Sequence, residues 1–174
     1  MNTANSRARI LLIAGYLAML IGAIDPMEGS LLILPGSGLV VLGTWLGGQQ
    51  QSAVIFRMSV FFLILFGVAA IWGTSMLGGI GSTTAYSMWW ALLMVPYPIG
   101  WSMGIWGPDS PRWVLWSGIG VGIWYVMMMF LMINMSSRWT ESTVEAVSVA
   151  GSIGIIGAVT IIGCIYRLRK LTKA

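Results

Sequence analysis

Residues 54–77 read VIFRMSVFFLILFGVAAIWGTSML, a stretch in which Arg57 is the only charged residue. An α-helix rises about 1.5 Å per residue, so this stretch is long enough to cross a hydrocarbon core of about 30 Å. Similar stretches recur along the chain, and 57% of the 174 residues are hydrophobic while 8% are charged. A water-soluble domain of this length needs more polar surface. The sequence therefore predicts an all-α, polytopic transmembrane helical bundle that forms one membrane domain.

Six apolar segments can be marked, at about 9–24, 26–47, 54–77, 86–107, 113–134 and 144–166. The stretch Asp25-Pro26-Met27-Glu28 places a capping residue, a proline and a glutamate at the spacing that begins a helix. We therefore expect segments one and two to form a tight antiparallel pair. Arg7 and Arg9 precede segment one as in a signal peptide, but the missing small-residue cleavage site favours a retained helix.

The positions of the charges predict the orientation, because lysine and arginine accumulate in short cytoplasmic loops. With the N-terminus inside, six crossings place every cation except Arg138 on the cytoplasmic side. They also place every acid except Asp109 outside. Both termini are predicted to be cytoplasmic, in a cell inner membrane. Because the cations flank membrane segments, we expect contacts with membrane lipids and no binding of nucleic acid.

Several kinds of chemistry are poorly supported. Histidine is absent and Cys164 is the only cysteine, which excludes a Cys/His zinc site, an iron–sulfur cluster or histidine-ligated haem within this chain alone. No recognisable pair of nucleophile and base is present, so we expect no catalytic residue, no cofactor and no enzymatic activity. The absence of a charged residue near the middle of any segment disfavours a proton or ion pump.

Two segments carry helix-breaking residues, Pro35-Gly36-Ser37-Gly38 in segment two and Pro96-Tyr97-Pro98 in segment four. Prolines remove backbone donors, so we expect breaks in helices two and four. Interrupted helices build solute sites in many transporters, where backbone groups face the solute. The alternative is a pair of kinks that neighbouring helices satisfy.

Small residues spaced by four form ridges that let helix backbones approach closely. They are Gly118 and Gly122 in segment five, and Ala150, Gly154 and Ala158 in segment six. Packing within the bundle and association with a partner both explain such ridges.

Four acids are expected on the external side: Asp25, Glu28, Glu141 and Glu145. Such a cluster could bind a divalent cation, although helix capping already accounts for most of its members.

The stretches DPMEGSLLILPGSG at 25–38 and SMWW at 87–90, continuing through PYPIGW at 96–101, resemble a group of short, uncharacterised polytopic bacterial membrane proteins. The resemblance covers about the first two-thirds of the chain. It implies a bacterial inner membrane, and it carries no known activity, cofactor or catalytic residue.

Three functions remain open at this point. The first is a non-enzymatic scaffold or accessory subunit that packs against other membrane-protein subunits or against itself. The second is a small-solute transporter or channel that uses the breaks in helices two and four. The third, a lipid-modifying enzyme, would need the external carboxylates to act as acid and base.

Overall fold

The computed structural model describes residues 3–25, 28–78, 93–139 and 143–173, and their side chains at 6–25, 28–78, 93–134 and 151–173. Within these ranges the chain forms six α-helices and no strand. They are α1 (Thr3–Gly22), α2 (Ser30–Leu46), α3 (Gln51–Met76), α4 (Pro96–Trp106), α5 (Arg112–Trp139) and α6 (Thr143–Lys173). The prediction of an all-α protein with six helices is confirmed.

Three of the helical stretches are long and apolar enough to cross a membrane: Gln51–Met76, Arg112–Asn134 and Gly151–Lys173. Ser30–Leu46 is a shorter apolar helix. At about 1.5 Å per residue, its 17 residues extend about 25 Å. The length and composition of the three long stretches are those expected of membrane-spanning helices.

The break predicted in helix two is not seen, because α2 continues as an α-helix through Pro35. Pro35 lies on the exposed side of α2, and Gly36 and Ser37 lie on the buried side. A proline removes one helical hydrogen bond, and packing by neighbouring helices can hold the rest of the helix together.

The two prolines of segment four lie at the start of a helix rather than within one. Pro96 is the first residue of α4, and Pro98 is in the same turn. The first N–H groups of a helix have no helical acceptor, so prolines cost little there. The predicted helix over 86–107 is described only from residue 93 onward, and its α-helical part begins at Pro96.

The described chain forms two compact units, Met1–Asp109 and Ser110–Ala174. In the first unit α1 packs on α2, α2 on α3 and α3 on α4. Its largest buried side chains include Tyr16, Met19, Ile64 and Trp101. The second unit is a hairpin of α5 and α6.

Candidate functional site

The pairing of α1 with α2 depends on small residues spaced by seven. Ala8, Gly15 and Gly22 lie on α1, and they face Gly43, Gly36 and Gly29, in that order, on the α2 side. A Cβ added at Gly15 would lie 2.6 Å from the Gly36 carbonyl oxygen, and one at Gly43 would lie 3.0 Å from the Ala8 carbonyl oxygen. The two backbones therefore nearly touch, and the expected tight antiparallel pair is confirmed.

Three residues that we considered for a solute path lie at packed positions of α2: Gly36, Ser37 and Gly38. Gly36 faces α1, where an added Cβ would lie 2.9 Å from the Ala18 Cβ. Ser37 is 3% exposed, and its hydroxyl donates to the Leu34 carbonyl at 2.7 Å. Gly38 faces the Phe61 ring of α3.

The second group of candidate path residues lies against α3. Tyr97 is 6% exposed, and its backbone passes so close to Gly67 that a Cβ at Gly67 would overlap it. Gly100, one turn later, would place a Cβ 3.0 Å from Leu63 and Ile64 side-chain atoms. Pro96 and Pro98 are partly buried in the same turn. Pro35 is exposed, but the other candidates of both groups are at least partly buried, and Gly36, Gly38 and Tyr97 contact neighbouring helices of the first unit.

Arg57 is the buried charge of the first unit, with 3% of its surface exposed. It lies on α3, and its Nη1 donates to the Gly104 carbonyl at 2.5 Å while its Nη2 donates to the Pro108 carbonyl at 2.6 Å. The guanidinium carbon also lies 5.5 Å from the centre of the Tyr16 ring of α1, a cation–π distance. One side chain therefore contacts α1, α4 and the loop after α4.

The sequence after Gly104 explains why α4 needs this arginine. The Gly104 carbonyl would normally accept the N–H of residue 108, but Pro108 has no N–H. Arg57 supplies the missing donor and places a positive charge at the negative end of the helix dipole. Gly107 leaves the necessary space, since a Cβ there would lie 3.1 Å from Arg57 Nη1.

Two tryptophans join helices of the same unit through their indole N–H groups. Trp101 is 2% exposed and donates to the Met19 carbonyl of α1 at 3.0 Å. Trp72 of α3 donates to the Ser30 hydroxyl, at the start of α2, at 3.1 Å. These bonds fix the register of α4 against α1 and of α3 against α2.

The structure describes two of the four acids in the proposed external cluster. Asp25 and Glu28 are exposed, and the Glu28 N–H donates to Asp25 Oδ1 at 3.4 Å, the bond that the capping pattern predicts. The helix itself begins later, at Ser30. Glu141 lies outside the described residues, as does the side chain of Glu145. Among the side chains described, no three of His, Cys, Asp and Glu come together as a possible metal site.

The predicted ridges of the second unit lie partly between α5 and α6. A Cβ at Gly122 would lie 2.8 Å from the Gly157 carbonyl oxygen, and Gly154 packs against the Met129 side chain. Gly118 is buried, whereas Ala158 is exposed, and the side chain of Ala150 is not described. The ridge of α6 therefore continues from Gly154 to Gly157, with three-residue spacing, rather than to Ala158.

The arrangement offers interhelical hydrogen bonds and close backbone contacts more than reactive groups. Sequence reasoning missed the Arg57 contacts and the seven-residue spacing on α1 and α2. The spacing could have been found by searching for small residues at heptad as well as four-residue intervals. No protein-family model, curated protein or solved structure matches this chain.

Proposed function

We propose that this chain is a non-enzymatic, multi-pass protein of a bacterial inner membrane that serves as a scaffold or accessory subunit and packs against other membrane proteins. The observation that supports it best is the placement of Gly36, Ser37 and Tyr97. These residues were three of the seven candidates for a solute path, and all three are buried. A rigid membrane bundle is what a scaffold requires.

In the proposed arrangement all six apolar segments cross the membrane, the fourth as the whole of 86–107 rather than as the 11-residue α4 alone, and both termini are cytoplasmic. This orientation places Arg7, Arg57, Arg112 and the cations at the end of α6 on the cytoplasmic side, as expected for short loops. Arg57 then lies near the cytoplasmic boundary, where its bonds to α4 satisfy its hydrogen-bonding groups away from water.

The outward faces of the helices supply contact surface for a partner. Phe62 and Phe66 on α3 are 57% and 54% exposed, and Phe130 on α5 is 58% exposed. Aromatic side chains with such exposure pack against lipid or against another transmembrane helix. A scaffold would use at least one of these faces for a partner subunit.

Site-specific photocrosslinking in intact membranes tests this proposal. A photoreactive amino acid replaces Phe66 or Phe130 in the full chain, and the buried Ile64 serves as the matched control position. We expect one discrete crosslinked membrane protein from an outward position, and none from Ile64. The same partner should co-purify at fixed stoichiometry in mild detergent. Lipid adducts alone from both outward positions, together with solute flux in liposomes that contain only this protein, would overturn the proposal.

A further inference from the structure

The outward face of α6 changes from apolar to cationic along its length. Ile155, Val159 and Ile162 are exposed at helical spacing, and Tyr166 follows them with 67% of its surface exposed. Arg169, Lys170 and Lys173 continue the same face, at three, four and seven residues beyond Tyr166, and all three are exposed.

The dimensions of this face match one lipid leaflet. Ile155 and Tyr166 are eleven residues apart, which is about 16 Å along the helix, or about half of a 30 Å hydrocarbon core. The 31 residues of α6 extend about 46 Å, so the helix is longer than the core and its cationic end reaches the headgroup region. Tyrosine prefers the boundary between these regions.

A further cation, Arg112, lies at the same end of the hairpin. The Arg112 guanidinium, at the start of α5, donates from Nη2 to the Leu171 carbonyl in the last turn of α6 at 3.2 Å. No acid occurs in the sequence of either helix near this end, since the acids of the second unit are Glu141 and Glu145 at the opposite end of α6. The nearest acid in the sequence is Asp109, which precedes α5, so cations outnumber acids near this end and the field there is positive.

From this layout we infer that the outward face of α6 binds an anionic phospholipid, with its phosphate on Arg169, Lys170 and Lys173 and an acyl chain along Ile162, Val159 and Ile155. Tyr166 lies at the level of the glycerol ester groups. The inference rests on the membrane orientation of the proposed function and does not depend on a protein partner. Charge complementarity favours this occupant over a partner helix, whose apolar surface would leave the three cations without counter-charges.

Native mass spectrometry of the full chain in a neutral detergent tests the inference. Phosphatidylglycerol and phosphatidylcholine with the same acyl chains are titrated separately, and the retained lipids are counted. We expect preferential retention of one phosphatidylglycerol. The triple variant R169Q/K170Q/K173Q should retain it about 10- to 100-fold more weakly, because each interfacial cation contributes severalfold to anionic-lipid binding.

Two variants and one competitor make the result decisive. The variant R7Q/R9Q/R167Q loses the same net charge from positions outside the face and should retain the lipid as the unmodified chain does. R169K/K170R/K173R keeps the charges and should also retain it. Equal loss in the matched-charge control, unchanged retention in R169Q/K170Q/K173Q, equal retention of phosphatidylcholine, or displacement by millimolar inorganic phosphate would each overturn the inference. If no partner protein is crosslinked from Phe66 or Phe130, the scaffold proposal is contradicted. The lipid titration does not depend on that result.

Discussion

Arg57 donates from Nη1 to the Gly104 carbonyl at 2.5 Å, a carbonyl in the last turn of α4 to which Pro108 has no N–H to donate. The two residues are 47 positions apart in sequence. The bond provides a donor for a carbonyl in the last turn of α4 and attaches α4 to α3. The second nitrogen, Nη2, donates to the Pro108 carbonyl. A single buried charge thus connects the end of one helix to the side of another, which is more than an orientation signal requires.

Replacing Arg57 tests the importance of this connection. R57A removes two charge-assisted hydrogen bonds, each of which contributes about 1.5–3 kcal/mol, so we expect the free energy of unfolding to fall by about 3–6 kcal/mol. The stability of R57K should lie between those of R57A and the unmodified chain, since an ammonium keeps the charge but lacks the planar geometry of the guanidinium. Unfolding in mixed micelles measures the difference, with R9Q at an exposed cation as the control. If R57A and R9Q unfold alike, Arg57 does not hold α4.

The glycines between α1 and α2 give a second stability prediction. G15A would place a Cβ 2.6 Å from the Gly36 carbonyl oxygen, and G36A would place one 2.9 Å from the Ala18 Cβ. The backbones must separate, which we expect to cost about 1–3 kcal/mol for each variant. Gly73 is the matched control, because nothing lies within 4 Å of a Cβ there and alanine favours the helix. Destabilisation of G73A to the same extent would mean that close packing between α1 and α2 does not explain the effect.

Composition and segment length were sufficient to predict an all-α membrane protein with six helices, because hydrophobic length is a local property of the chain. The capping pattern at Asp25 and Glu28 likewise predicted the short connection between α1 and α2, although α2 begins at Ser30. The break at Pro35 was predicted from local propensity. In the structure α2 continues through this point, where Gly36 packs on α1 and Ser37 is buried.

The Arg57 contacts could not be read from local pattern. Arg57 fitted the distribution of cytoplasmic cations, and nothing near it in sequence identifies the carbonyls that it reaches. The clue lies far away, in a proline four residues after Gly104 near the end of a short helix. Ala158 is a similar case, because four-residue spacing places it on the ridge while the actual crossing of α5 and α6 uses Gly157.

The Trp101 hydrogen bond predicts a specific cost for W101F. The substitution removes the N–H that bonds to the Met19 carbonyl and leaves a small cavity in a fully buried site. We expect a loss of about 2 kcal/mol in the free energy of unfolding. W124F, at a tryptophan that is 36% exposed, should change stability by much less. Equal effects of the two substitutions would show that the indole bond contributes nothing measurable.

The proposed six-crossing orientation is tested by reporter fusions. Fusions after Lys173, within 49–51 and near Asp109 should report the cytoplasm, because the cations at the end of α6, Arg57 and Arg112 are the charged groups expected on that side. Fusions at 82–84 and 136–142 should report the exterior. A C-terminus on the external side would contradict an even number of crossings and would remove the cytoplasmic placement of the α6 cations.

Cysteine labelling separates the scaffold from the transporter interpretation. In a C164A background, cysteines are placed at the candidate path residues Ser37 and Tyr97 and at the buried Ser102 of α4. If helices two and four formed a water-filled path, these cysteines would be accessible from it. Ser37 and Ser102 are the best positions, since serine and cysteine are similar in size and both sites are buried, at 3% and 4% exposure. A cysteine replacing the exposed Phe66 serves as the lipid-facing control, and one at Gln49, in the exposed loop before α3, as the water-facing control.

In nanodiscs, which are open to both sides, we expect a small charged thiol reagent to modify Q49C rapidly. It should modify S37C, Y97C and S102C no faster than F66C, because packed helices exclude water. Modification of S37C and S102C at the rate of Q49C would instead show a hydrated path between α2 and α4, and the transporter interpretation would then replace the scaffold.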